Sequence, residues 1–287
     1  MSLFLQLTED VRVQVRQCKL CLEIKELCDS HYIPRRAYSM NMAKSLKNPN
    51  PVVLSQGKVK QVSDQLRGYT FCGQCEQMLS DKGEKWVLAN VPEDQDNPFP
   101  LQEALIAETP VFIGDGINLF AGRKIQGFNM DQIIYFGVSI FWRGAAREWK
   151  SSLGGVAPPV DLGEYYEPMR NFLLGGPFPE DVVIFVLIDN RKPVANMATV
   201  VLGAKDGLAP FYWFYLNGLG FKLYLGKSVP KDIRQLCAYR SPDRFVMMDA
   251  EFGKMVRKFG KDFLTSNELS TKMQDFLKGP NPRRTEL

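Results

Sequence analysis

Two Cys-x-x-Cys pairs set the strongest constraint on this 287-residue chain. Cys18 and Cys21 form the first pair and Cys72 and Cys75 the second, with 50 residues between Cys21 and Cys72. A Cys-x-x-Cys turn presents two sulfurs to one ion. Two such turns supply the four thiolates of a tetrahedral zinc site. Closing a long loop through a metal allows a small, core-poor module to fold. In a reducing compartment such pairs read as metal ligands or redox groups rather than structural bridges. Against the redox reading, nothing around either pair has the βαβ pattern of a thioredoxin-type unit. Cys28 is a spare ligand candidate and Cys237 stands alone further on; a buried thiol is the ordinary role for both.

Between the pairs lies the one histidine, His31, in the string Asp29-Ser30-His31-Tyr32-Ile33-Pro34-Arg35-Arg36. Glu76 directly follows the second pair. The net charge of +4 is unevenly spread. Residues 1–90 hold 13 Lys and Arg against 9 Asp and Glu, whereas residues 91–287 hold 23 of each. Within 31–67, Arg35, Arg36, Lys44, Lys47, Lys58, Lys60 and Arg67 face Asp64 alone. A cationic stretch of this kind suits contact with phosphate; a solvated basic loop is the alternative, and charge alone does not separate them.

A composition of 45% hydrophobic and 24% charged residues describes a globular protein able to bury a core without disulfides. No apolar run approaches the roughly 18 residues of a membrane span. Glu9 and Asp10 interrupt anything resembling a signal-peptide core, so the expectation is a cytoplasmic protein with no membrane partner. There is no P-loop, no G-x-S-x-G and no dinucleotide fingerprint.

The pattern divides the chain into a zinc module, residues 1–90, and a body, residues 91–287. Residues 1–17 read as a short helix or arm, 43–57 as a loop, and 75–85 as a helix beginning inside the second Cys pair. The Pro-rich stretch 91–100 reads as a linker. In the body, 101–107 is a short helix. Residues 131–150 form a long one, with Ile133, Phe136, Ile140 and Phe141 at helical spacing. Another helix is expected over 163–174. Runs 181–188, 198–202, 210–216 and 220–225 then predict an antiparallel meander of about four strands. The aromatic run 211–215 reads as a strand buried on both faces, with base stacking as the rarer use. Asn217-Gly218 is hairpin-turn chemistry. Trp142-Arg143 and Arg147-Glu148-Trp149 on the long helix read as amphipathic packing with the arginines snorkelling outward, a partner or nucleic-acid face being the rarer use. Residues 245–264 and 269–277 are expected as closing helices, Asp249 and Glu251 being acids that favour a helix start. The tail 279–287 is expected to lack order. The predicted class is α+β.

The string Cys18-x-x-Cys21, Ser30-His31-Tyr32-Ile33-Pro34, Cys72-x-x-Cys75-Glu76 resembles the zinc-bearing branch of the HNH endonucleases. The resemblance covers about residues 15–90. It implies a ββα-metal, treble-clef-like module in which Cys18, Cys21, Cys72 and Cys75 hold a structural Zn²⁺. It also implies a metal-dependent nuclease hydrolysing phosphodiesters in DNA or RNA. His31 would be the general base. Glu76, with Asp29, would hold a catalytic Mg²⁺ or Mn²⁺, and Arg35 and Arg36 would bind flanking phosphates. The chain departs from the family pattern at two places. Ser30 stands where an acid or a second histidine normally ligates the metal, and Glu76 stands where a histidine normally follows the last cysteine. Three roles for His31 therefore stay open: base, relic in a catalytically degenerate module that binds nucleic acid or a protein partner, and extra zinc ligand or packing residue. A homo-oligomer is compatible with either function. The chain as a whole also resembles a group of bacterial and phage proteins, through Trp142-Arg143 and Leu162-Gly163-Glu164-Tyr165-Tyr166; that likeness implies no activity.

Overall fold

In the computed structural model, which describes residues 14–40, 52–55, 58–61, 65–93, 98–152, 154–189, 197–205, 209–266 and 268–269, the architecture is mixed α+β. The N-terminal part runs through β1 (Val15–Gln17), β2 (Ile24–His31), α1 (Arg35–Met40), β3 (Val52–Ser55), β4 (Lys58–Gln61) and β5 (Arg67–Cys72). β1, β2 and β5 form one antiparallel sheet in that order, with a bulge between Leu27 and Asp29 that shifts the register of β2 on β5. β5 passes directly into α2 (Gly73–Leu79), a π-helical turn over Ser80–Glu84, and α3 (Lys85–Asn90). The junction residues Leu79, Ser80, Glu84 and Lys85 all keep right-handed helical dihedrals, so the three pieces form one continuous rod.

The body continues through α4 (Pro100–Ile106), β6 (Phe112–Ile113), β7 (Ile117–Ala121), α5 (Met130–Ala146), α6 (Tyr166–Leu173), β8 (Val182–Ile188), β9 (Leu202–Lys205), β10 (Pro210–Leu216), β11 (Leu219–Leu225), α7 (Lys231–Gln235), β12 (Phe245–Asp249), α8 (Ala250–Ser266) and β13 (Glu268–Leu269). Its sheet has the order β6-β7-β12-β8-β11-β10-β9 and is antiparallel except where β12 runs parallel to β8. β8 lies at the centre, and all seven of its residues are buried, which explains the unbroken apolar run Val-Val-Ile-Phe-Val-Leu-Ile. On β10 the aromatics point alternately to the two faces. Phe214 meets Phe141 and Phe136 of α5, while Trp213 meets Phe252 and Phe259 of α8. Both faces are thus covered, as the aromatic run implied. Asn217 (φ 44°) and Gly218 (φ 95°) make the tight β10–β11 turn, where positive φ is required at both positions.

α5 organises the rest. Its N-terminus is capped by the Asn129 side chain, which accepts from the Gln132 amide at 3.1 Å. Fourteen of its seventeen residues are buried, the condition of a helix enclosed on nearly every side. One side lies on the seven-stranded sheet. The other receives the N-terminal part: Trp142 stacks 5.8 Å from Phe71, and Gly83 in the π turn approaches the α5 backbone. A Cβ on Gly83 would sit 3.0 Å from the Phe136 amide nitrogen and 3.1 Å from the Gln132 carbonyl oxygen. Tyr32, next to His31, stacks on Trp149 at 5.4 Å, and its hydroxyl accepts from the Val201 amide at 3.3 Å. Buried side chains from both sides of residue 90 accordingly belong to one apolar cluster.

Several expectations need correction. Within 43–57, Val52–Ser55 is a strand paired with Lys58–Gln61 rather than loop; residues 41–51 lie outside the described ones. Of 1–17, the described end is strand (Val15–Gln17) rather than helix. Phe245–Asp249 is a strand wedged between β7 and β8, and helix begins only at Ala250, where Asp249 Oδ1 accepts from the Glu251 and Phe252 amides. The sheet gains β6, β7 and β12 beyond the expected meander. Of 269–277, Leu269 alone is described, in a strand parallel to β4, and the tail lies outside the described residues. Stretch 91–100 is partly packed: Val91 and Phe99 are buried, and the Pro92 carbonyl accepts from Asn217 Nδ2 at 2.9 Å. Arg143 does not snorkel; it is 1% exposed.

The close approach at Gly83 gives a direct test. Gly83→Val forces branched carbons into the α5 backbone, which cannot swing aside as a side chain could. The expected loss is about 1–3 kcal/mol of stability by chemical denaturation, against little change for an exposed control such as Lys85→Ala.

Candidate functional site

The first Cys pair occupies the turn between β1 and β2. The Cys18 amide donates to the Glu23 carbonyl at 2.8 Å and the Leu22 amide to the Cys18 carbonyl at 2.9 Å, with Leu22 at φ 64°. This folds the turn tightly enough to bring both sulfurs to one side. The Lys19 amide donates to the Thr70 carbonyl at 3.1 Å, and Arg170 Nη1 of α6 donates to the Leu20 carbonyl at 2.8 Å, so the turn is pinned from β5 and from the body. The second pair straddles the β5–α2 junction: Cys72 ends the strand with extended dihedrals, and Cys75 lies in the first helical turn.

All four ligand atoms of Cys18, Cys21, Cys72 and Cys75 lie within 4.8 Å of one another, and Cys21 Sγ is 3.9 Å from Cys72 Sγ. Thiolates about 2.3 Å from a tetrahedral zinc stand roughly 3.8 Å apart, so the donor set and spacing fit that ion. The four cysteines could therefore hold a metal, consistent with a structural zinc. Cys18 is the readiest thiolate. The Cys75 thiol donates to it, and backbone amides of Cys21, Cys72 and Leu20 add to this against its burial, bringing its pKa to about 4. The Cys75 thiol is correspondingly pushed up by that hydrogen bond and by burial. Cys28, an exposed thiol in the β2 bulge, and buried Cys237 stand outside the cluster.

Beside the cluster is a cavity of about 310 Å³ lined by Cys28, His31, Arg35, Glu76, Glu84 and Arg143 among others. Four separate elements meet there: the end of β2, the start of α1, the rod from α2 through the π turn, and α5. His31 is half-buried, and burial holds its pKa below the ordinary 6.5, opposed by Asp29 and Glu76 and reinforced by Arg35 and Arg67. Its imidazole is therefore neutral at physiological pH. Glu76 Oε1 is buried with no hydrogen-bond partner. Glu84, in the π turn, forms a buried ion pair with Arg143 Nη2, while Arg143 Nη1 reaches the His31 carbonyl at 3.5 Å. Burial raises the Glu84 carboxyl above its usual range, partly offset by Arg143 and increased by Glu76.

Of the residues singled out in the sequence, His31, Glu76 and Arg35 thus share one cavity. Asp29 does not line it; its carboxylate is exposed and pairs with Arg67 at 2.9 Å. Arg36 is exposed on α1, 3.7 Å from Glu93. Ser30 is buried within the sheet, donating to the Cys28 carbonyl at 3.3 Å and accepting from the Phe71 amide at 3.1 Å. Among the described residues, the four cysteines form the one group of three or more ligating side chains close enough to share an ion. Sequence reasoning missed Glu84 and the inward Arg143. The usable signal was a lone arginine in an otherwise apolar helix, which demands a buried counter-charge.

Purified protein is expected to carry one zinc per chain. Cys72→Ser or Cys75→Ala should abolish it and lower the unfolding midpoint, while Cys28→Ser should retain it; elemental analysis with thermal unfolding reads both. Arg143→Met leaves Glu84 buried without its partner, an expected loss of about 3–5 kcal/mol near pH 7. With its folded pKa raised further, Glu84 then opposes folding above its ordinary value of 4.5 and ceases to do so once both states are protonated. The deficit against wild type should therefore shrink toward pH 4. No protein-family model matches the chain, and neither the curated proteins nor the solved structures give a match.

Proposed function

We propose that this chain is a metal-dependent, HNH-like endonuclease acting on phosphodiesters of nucleic acid. The observation that carries the reading is the convergence of His31 and Glu76 on one cavity, with a neutral imidazole and a buried carboxylate oxygen that has no partner. The order of elements supports it too: a Cys-bearing turn, a strand β2 ending at the histidine, then β5 running into a helix with the second Cys pair at their junction.

The chain's residues then divide the work as follows. His31 takes a proton from the attacking water, a task that needs its neutral form. Arg143 holds the His31 carbonyl and so orients the end of β2. Arg35, on the cavity wall, offers a guanidinium to a flanking phosphate. Glu76 would hold a divalent ion, completed by water and substrate phosphate rather than a protein cage, as suits Mg²⁺. That ion would offset charge on the phosphate and the leaving oxygen.

A second reading is a catalytically degenerate zinc module that binds nucleic acid or a protein. One observation favours it: Asp29 is engaged by Arg67, and Ser30 is buried, so neither joins Glu76. Cleavage of labelled single- and double-stranded DNA and RNA with Mg²⁺, Mn²⁺ or EDTA separates the two. The nuclease reading expects metal-dependent cutting that His31→Ala reduces by about 100-fold or more. It also expects the acid limb of the pH–rate profile to fall below pH 6.5, because a depressed pKa keeps the base unprotonated further into acid. Undiminished cutting by His31→Ala would sink the assignment of the base. Absence of cutting by zinc-loaded wild type on every substrate would leave the binding module.

A further inference from the structure

A second groove, of about 490 Å³, opens along the β1-β2-β5 sheet and shares no lining residue with the His31 cavity. It is lined by Arg16 on β1, Lys19 in the Cys18–Cys21 turn, Tyr69 on β5, and Arg147, Glu148 and Lys150 just past α5. Four cations face one carboxylate, and Glu148 is already paired with Lys150 at 2.8 Å. The groove is thus made jointly by the cysteine-bearing part and the body, and its charge calls for an anion.

Three features narrow the anion. Arg147 is fixed in place: Nε donates to the Glu148 carbonyl at 3.1 Å and Nη1 lies 3.4 Å from both the Tyr69 carbonyl and Thr70 Oγ1. The guanidinium also sits over the Trp149 ring, 5.5 Å from its centroid. Such a pre-set fork suits a phosphate. Tyr69 is 45% exposed, an open aromatic face in a cationic groove, which suits a stacked base. Finally, β5 relates the groove lining to His31. Tyr69 and Arg67 are two residues apart on β5 and so share a face. Arg67 pairs in register with His31, and its amide donates to the Lys150 carbonyl at 3.2 Å.

We propose that this groove binds an unpaired nucleic-acid strand, its phosphodiester backbone against Arg16, Lys19, Arg147 and Lys150 and one base stacked on Tyr69, with the strand passing Arg67 toward His31. A duplex hides its base faces, so the stacking element selects single-stranded segments. The proposal rests on the nucleic-acid reading above but not on cleavage.

The test is fluorescence anisotropy with a labelled single-stranded oligonucleotide and its duplex, in EDTA, from 50 to about 300 mM salt. Wild type is compared with Arg16→Gln/Lys19→Gln/Lys150→Gln, with Tyr69→Ala, and with Lys124→Gln/Lys227→Gln/Lys231→Gln. That last variant removes as much charge from exposed lysines that line neither cavity. Bound zinc and thermal unfolding are checked for each. The groove triple variant should bind the single strand about tenfold or more weakly, with a salt slope smaller by about 2, at roughly 0.7 for each phosphate no longer neutralised. Tyr69→Ala should weaken it roughly 5- to 150-fold and the control triple little. Equal effects of the two triple variants, unchanged affinity in the groove variants, or no binding by wild type at low salt would overturn the proposal. Groove-dependent binding without cleavage in Mg²⁺ or Mn²⁺ would support it while removing the nuclease reading. Cleavage by wild type with a groove variant that binds and cuts normally would remove the groove alone.

Discussion

Arg143 carries its charge to a position where the side chain is 2% exposed, and much of the architecture follows from satisfying it there. It rises from α5, enclosed on nearly every side, and crosses to the cysteine-bearing part. There it meets Glu84 from the π turn and the backbone carbonyl of His31. Phe71 lies 5.7 Å from its guanidinium, and Trp149 donates to its own carbonyl at 2.6 Å. A charge so placed cannot be left unpaired, since removing it from water costs several kcal/mol. The body helix, the helical rod and the end of β2 must therefore assemble in one register.

The cysteine cluster imposes the complementary constraint from the other side. It joins the β1–β2 turn to the β5–α2 junction, which fixes where β2 ends and where the rod begins. The rod in turn determines the position of Glu76 in its first turns and Glu84 in its π turn. A π turn displaces the residues after it relative to a regular helix, and such turns recur at functional sites. Here it coincides with Gly83, whose missing side chain lets the rod approach the α5 backbone. The cavity beside His31 is thus bounded by the cysteine-cluster end and a close-packed end of the same rod.

Local rules made some of this legible in the sequence and left the rest hidden. The Cys-x-x-Cys spacing announced the four-sulfur cluster because a turn that presents two sulfurs to one side is a local geometry, and the helix starting inside the second pair was equally local. The hydrophobic period marked α5, and Asn217-Gly218 marked the β10–β11 turn. By contrast, Phe245–Asp249 was read as helix because a short apolar run beside a true helix has no distinguishing period. Its strand character comes from β7 and β8, distant in sequence. Arg143 was read as snorkelling because its counter-charge lies 59 residues earlier, in a stretch whose burial depends on tertiary packing. Glu76 was visible as a neighbour of Cys75, whereas its partnerless buried oxygen is a property of the folded cavity alone.

The buried Arg143–Glu84 pair is weak grounds for stability, because desolvating both charges offsets most of their attraction. Arg143 Nε has no partner in its buried position, so the pair is not even fully satisfied. A well-packed apolar pair could hold these helices together at least as well. What it could not do is reach the His31 carbonyl with a directed donor, or set a raised carboxyl beside Glu76 in the same cavity. The arrangement trades some packing free energy for position and electrostatics at one place. That place is the one where the sequence's lone histidine, its post-cluster glutamate and an arginine of α1 come together. An irregular helical turn and two buried polar atoms without partners, Glu76 Oε1 and Arg143 Nε, meet at this one cavity, and local departures of that kind are where function rather than folding alone sets the residues.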